Sequence, residues 1–176
     1  EDGVAAMRAA LERWALPAGC SFRRQSLLDH LHPSYAGDVG IGPNPKLAAY
    51  IREADVVLLV GGRLGEMPSS DYTLLKSPYP DQKLIHVHPD AEELGRVYRP
   101  TVAIAAAPAA FAETLATTAP AATPVWANRT EELHQAYLDW STPPASGPGA
   151  VHMGPIMAHL EDVLPEDAII CNGAGN

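Results

Sequence analysis

Cysteine is scarce in this chain: 176 residues hold two, Cys20 and Cys171. They lie far apart, each inside a strand-like run, which excludes a disulfide framework and predicts two buried structural thiols. Cations are scarce as well. Twelve Lys and Arg stand against 21 Asp and Glu, a formal net charge of −9, whereas a general nucleic-acid surface needs clustered positive charge to neutralise phosphates. Nucleic acid is therefore not an expected partner. No apolar run approaches the roughly 20 residues that span a bilayer, and the N-terminus has no charged-then-apolar signal layout. The expectation is a cytoplasmic protein without a membrane partner. Its hydrophobic fraction of 47% is enough for a buried core, and its length leaves room for one domain and part of another.

The stretch from Asn44 to Asp90 organises the rest. Asn44 is placed to cap a helix with Pro45 in its first position, and Leu47, Tyr50, Ile51 and Ala54 recur at helical spacing. Val56 to Val60 is an unbroken aliphatic run ending in Gly61-Gly62, the pattern of a parallel strand covered on both faces. A second short strand, Lys83 to Val87, ends in His88-Pro89-Asp90. Strands closed in this way build the ligand crevice of open α/β sheets, so a doubly wound, mostly parallel, Rossmann-like sheet is predicted.

The flanking segments fit that frame. Residues 1–16 read as a helix with Val4, Met7, Leu11 and Trp14 on one face. Such a helix normally follows a strand, so a first strand is expected outside this sequence. A short strand is predicted over 18–22. Residues 23–42 lack periodicity and read as a long loop with one helical turn at 26–29. A short helix is expected over 91–95, a strand over 101–105 and a helix over 108–117. The proline-rich 118–127 is predicted as the linker between a first domain, 1–117, and the truncated start of a second α/β domain, 128–176. There, Asn128 to Glu131 has capping-box spacing, a further helix is expected over 154–164, and a strand over 167–171.

Few residues point to chemistry on their own. Gly61, Gly62 and Arg63 could bring a phosphate to the backbone, with Arg63 supplying charge, although a tight turn with a locally paired arginine reads the same. His86 and His88 share one face of a strand, but a zinc site needs three or four ligands, and hydrogen-bonded histidines at a sheet edge are expected instead. His30 and His32 read likewise. Glu66, Asp71, Glu92 and Glu93 are expected to be solvated surface charges. No nucleophile elbow or triad is present, so no catalytic residue and no metal ligand is assigned.

Taken in order, the loop from His32-Pro33 to Gly42 with its spaced glycines, the Ala54-Asp55 strand closing on Gly61-Gly62-Arg63-Leu64, and the His88-Pro89-Asp90 strand end resemble the central domain of thiamine diphosphate-dependent enzymes of the acetolactate synthase type. The resemblance implies a carboligase or decarboxylase acting on 2-keto acids, dependent on thiamine diphosphate and Mg2+, with its sites between the subunits of a homodimer or homotetramer. It also implies that the catalytic glutamate and the metal-holding Gly-Asp-Gly motif belong to other parts of the parent subunit. Gly175 and Asn176 match the strand end that approaches the cofactor, and Gly61, Gly62, Arg63, His88 and Asp90 match the nucleotide crevice of the central domain. Relatives that hold FAD tend to carry an Asp-Arg pair after the glycine turn and acidic residues on the next strand. Here Glu66-Met67, His86 and His88 stand in those places, so FAD is an alternative to a purely structural central domain. A non-catalytic nucleotide-binding or scaffolding module is the alternative function.

Overall fold

A computed structural model describes residues 2–144, 146–147 and 151–171. The chain divides into two compact units, residues 1–140 and 141–176. The first runs α1 (Asp2–Trp14), β1 (Ala18–Ser21), β2 (Tyr35–Val39), α2 (Pro45–Glu53), β3 (Val56–Val60), β4 (Lys83–His88), β5 (Val102–Ala105), α3 (Pro108–Thr117) and α4 (Ala127–Ser141). In the second lies α5 (Met153–Val163).

The fold is α/β, as predicted, and every strand pairing is parallel. The strands form two sheets: β1 with β2, and β3–β4–β5 with β4 in the centre. Strand β2 falls inside the predicted long loop. Its Gly37 sits at φ 116°, beside the register slip between Ala18 and Gly19, and a bulge with a central glycine hides the alternation that would mark a strand. Among the described residues, β1 and β3 each keep one edge without a ladder partner. Strand β3, expected to be covered on both faces, is only half-buried and leaves Val56 50% exposed.

Helices tie these pieces together. Asn44 caps α2 as predicted, accepting from the Lys46 amide at 3.0 Å with Pro45 at the helix start. Leu47 of α2 packs with Ala36 and Leu133, while Ile51 packs both there and against the cluster of Leu75, Leu84 and Tyr98. One helix thus serves the cores of both sheets. A third cluster joins Leu11, Cys20, Leu28 and Tyr35. Helix α1 lies against α3, with the Trp14 indole donating to Leu115 O at 3.0 Å. Gly3 makes the approach possible, because a Cβ there would stand 2.7 Å from that of Ala109.

The division of the chain differs from the one expected at 118–127. Helix α4 belongs to the first unit: Leu133 and Ala136 are buried, Thr130 Oγ1 donates to Ala15 O at 2.6 Å, His134 Nδ1 donates to Tyr35 O at 2.8 Å, and Asn44 Nδ2 donates to Ala136 O at 2.9 Å. Just before it, the Trp126 indole donates to Trp14 O at 2.9 Å. The proline-rich segment is a connection within the unit. Asn128 lies inside α4 and does not cap it; at that end Arg129 pairs with Glu132 at 2.7 Å.

Other expectations also change. Residues 91–95 form turns and not a helix, and 167–171 form no strand. An extended segment becomes a strand only with a ladder partner, and the described residues of the second unit contain none. Ile169 is 90% exposed there, and Cys171 is exposed, not buried; Cys20 is buried as expected. His32 contacts Glu12 at 3.2 Å, and His30 stands beside Asp29.

Candidate functional site

The carboxyl ends of β3 and β4 open onto one crevice. At the end of β3, Gly61 takes φ 68° and donates its amide to Val87 O at 2.8 Å. A side chain would not fit, since a Cβ at Gly61 would meet Pro108 Cγ, at the start of α3, at 2.7 Å. The glycine serves the turn and its contact with α3. Gly62 O accepts from His86 Nε2 at 3.0 Å, which fixes the Nε2–H tautomer of a neutral ring. Arg63 follows and reaches the crevice.

The loop after β3 forms the lip. Ser69 is fully buried; its hydroxyl donates to Gly65 O at 2.7 Å and accepts from the Tyr72 amide at 2.9 Å. Three non-glycine residues in succession, Ser70, Asp71 and Tyr72, hold positive φ of 51°, 56° and 61°. Left-handed conformations cost roughly 1–2 kcal/mol per residue, and strain of this kind gathers at ligand sites.

On β4, Leu84 and His86 face the crevice and lie level with Val57 and Leu59 of β3. At the end of the strand, His88 and Asp90 make the turn: the Asp90 amide donates to His88 Nδ1 at 3.1 Å, and Asp90 Oδ1 accepts from the Glu92 amide at 2.9 Å. This turn delivers Glu93. The Glu93 side chain is 9% exposed and meets Arg96 Nη1 at 2.8 Å and Arg63 Nε at 3.3 Å. A cavity of about 260 Å³ results, with Leu59, Leu64 and Leu84 on its apolar side, Tyr72 and Tyr98 beside them, and Arg63, Arg96, Glu93 and His86 as its charged and polar edge. Tyr98 is 4% exposed, and its hydroxyl makes no hydrogen bond. The Ser69 hydroxyl offsets part of the rise that burial gives the Tyr98 pKa.

Of the residues singled out in the sequence, Gly61, Gly62 and Arg63 come together, and Arg63, His86 and Glu93 line the cavity. His88 and Asp90 shape the turn behind it. His86 and His88 are hydrogen-bonded, but on the central strand and not at the expected sheet edge. Gly175 and Asn176 lie outside the described residues, so no described residue is assigned to thiamine diphosphate. Glu93, expected as solvated charge, is half-buried and paired twice; its spacing of three from Arg96 was the available signal. Tyr98 carried none. Among the described residues, no three His, Cys, Asp or Glu side chains stand close enough to hold a metal ion, and no helix is long and apolar enough to cross a membrane.

A family model described as "Thiamine pyrophosphate enzyme, central domain" matches residues 1–115. The chain belongs to that family. The crevice over β3 and β4, with every strand just described, falls within the matched thiamine pyrophosphate enzyme central domain. No curated protein matches the chain significantly.

His86 gives this central domain a pH dependence. Burial lowers the His86 pKa below its ordinary 6.5, with the Gly62 hydrogen bond acting the other way. The unfolded chain therefore binds the proton first as pH drops, and stability falls from about pH 6.5 downward through the lower folded pKa. Urea midpoints at pH 7.5 and 5.5 should show that loss, and His86→Gln should shrink it. An equal loss in the variant would assign the acid sensitivity elsewhere.

Proposed function

We propose that this chain is part of a thiamine diphosphate- and Mg2+-dependent enzyme that decarboxylates a 2-keto acid and passes the acyl unit to a second carbonyl or to a proton, as acetolactate synthase-like enzymes do. The carrying observation is the family match over residues 1–115, joined to a fold that agrees with it. When bound, thiamine diphosphate supplies the electron sink for decarboxylation. The protein works as a homodimer or homotetramer in this reading, and the central domain contributes architecture and a ligand crevice.

We read that crevice as a nucleotide site. Two guanidinium groups at its edge and an apolar side suit an anionic ligand with a flat apolar body. A cavity of about 260 Å³ lies just below the roughly 300–1,000 Å³ usual for small-molecule sites, which suits one compact nucleotide better than the two ring systems of FAD.

The test is pyruvate consumption by the full-length protein with thiamine diphosphate and Mg2+ supplied or withheld. Turnover that requires both is expected. Nucleotide binding without any thiamine-dependent turnover of 2-keto acids would instead favour a non-catalytic nucleotide-binding module.

A further inference from the structure

Glu93 occupies the place where a nucleotide phosphate would meet the arginines. Its carboxylate is 9% exposed, while the guanidinium-bearing side chains of Arg63 and Arg96 that lean over it are 66% and 68% exposed. An acid at such a depth is stable only while paired, and here it takes one charge from each side of the crevice. Among the described residues no other acidic side chain lines the cavity, and burial pushes the His86 pKa down, which disfavours a charge there. The edge therefore carries two positive charges and one negative, with the negative one innermost.

We propose that Glu93 is a built-in competitor for the phosphate of a mononucleotide bound in this crevice, setting its affinity by occupying Arg63 and Arg96 when the site is empty. This rests on the nucleotide reading of the crevice. A phosphate presents more charge and more acceptor oxygens than a carboxylate, so it can take the arginines from Glu93. The cost of leaving Glu93 with fewer partners is subtracted from binding. The apolar side, formed by Leu59, Leu64 and Leu84 with Tyr98 beside them, holds the base. A loosely held nucleotide that responds to concentration follows from this arrangement.

The decisive experiment is calorimetric titration of ADP, adenosine and inorganic phosphate into the protein and its Glu93→Gln variant, whose amide keeps the size of the side chain and removes its charge. ADP affinity is expected to rise about tenfold in the variant, on the scale of one charge-assisted hydrogen bond, while adenosine binds both proteins equally. Arg63→Ala and Arg96→Ala, at exposed positions, should each weaken ADP about tenfold and leave adenosine unchanged. Should Glu93→Gln fail to fold, Glu93→Asp keeps the charge but shortens its reach, and a smaller gain for ADP is expected. Unchanged or weaker ADP binding in folded Glu93 variants would overturn the competitor role and make Glu93 a brace that presents the arginines. Absence of ADP binding to every form, or inorganic phosphate binding as tightly as ADP, would overturn the nucleotide reading itself.

Discussion

Leu84→Ala is expected to destabilise the first unit by about 3–5 kcal/mol, the upper part of the range for truncating a fully buried leucine. Leu84 is 1% exposed on the central strand β4 and packs with Leu75 and Tyr98. Val57 and Leu59 of β3, Ile51 of α2, Leu64 and Val97 close around it, so the surroundings belong to several elements and cannot collapse as one. The lost methyls also enlarge the crevice that Leu84 lines. Urea denaturation followed by far-UV circular dichroism measures the effect. A loss below about 1 kcal/mol would mean that this cluster relaxes freely and is not the packed core described above.

The second large effect concerns α4. Leu133→Ala should cost the first unit about 2–4 kcal/mol, because Leu133 is buried against Ala36 of β2 and Leu47 of α2. The readout is tryptophan fluorescence during urea unfolding, since Trp14 and Trp126 are joined by a hydrogen bond where α4 meets the end of α1. If α4 belonged to a separate domain, the transition of β1–β2 and α2 would stay where it is. An unchanged midpoint would restore the boundary to the proline-rich segment.

The sequence pattern was readable where local chemistry and burial agree. Asn44-Pro45 opens α2 as expected, and the aliphatic run of β3 and the strand at 83–87 are present, because cap geometry and runs of β-branched residues act within a few positions. It was silent where the deciding partner is distant in sequence. Strand β2 exists through its pairing with β1 and carries a bulge at Gly37. Helix α4 is placed by Tyr35, Asn44 and Ala15, about a hundred positions away. Strand 167–171 was over-read for the same reason: apolar content was there and a ladder was not.

The candidate site divides in a similar way. Arg63 was visible because a glycine turn after a strand calls attention to it. Gly61 was visible too, although its requirement comes from Pro108 and its positive φ and not from a ligand. Glu93 looked like one acid among several, and nothing local shows that a turn built by His88 and Asp90 swings it inward between two arginines. Strand alternation predicted that His86 and His88 share a face; that the strand is central, and that each ring makes a backbone hydrogen bond, required the topology.

Among the described residues β1 and β3 each keep an edge without a ladder partner, and this has a consequence for how the chain behaves in company. Each shows a row of amide and carbonyl groups that an extended chain can continue, and β3 adds aliphatic side chains with Val56 half in solvent. Such an edge is a template for growth of the sheet. The net charge of −9 holds copies apart near neutral pH, so acidification toward the pI of about 5.1 removes the repulsion while leaving the template intact. Acid therefore threatens this chain twice, loosening it through His86 and letting its strand edges find one another.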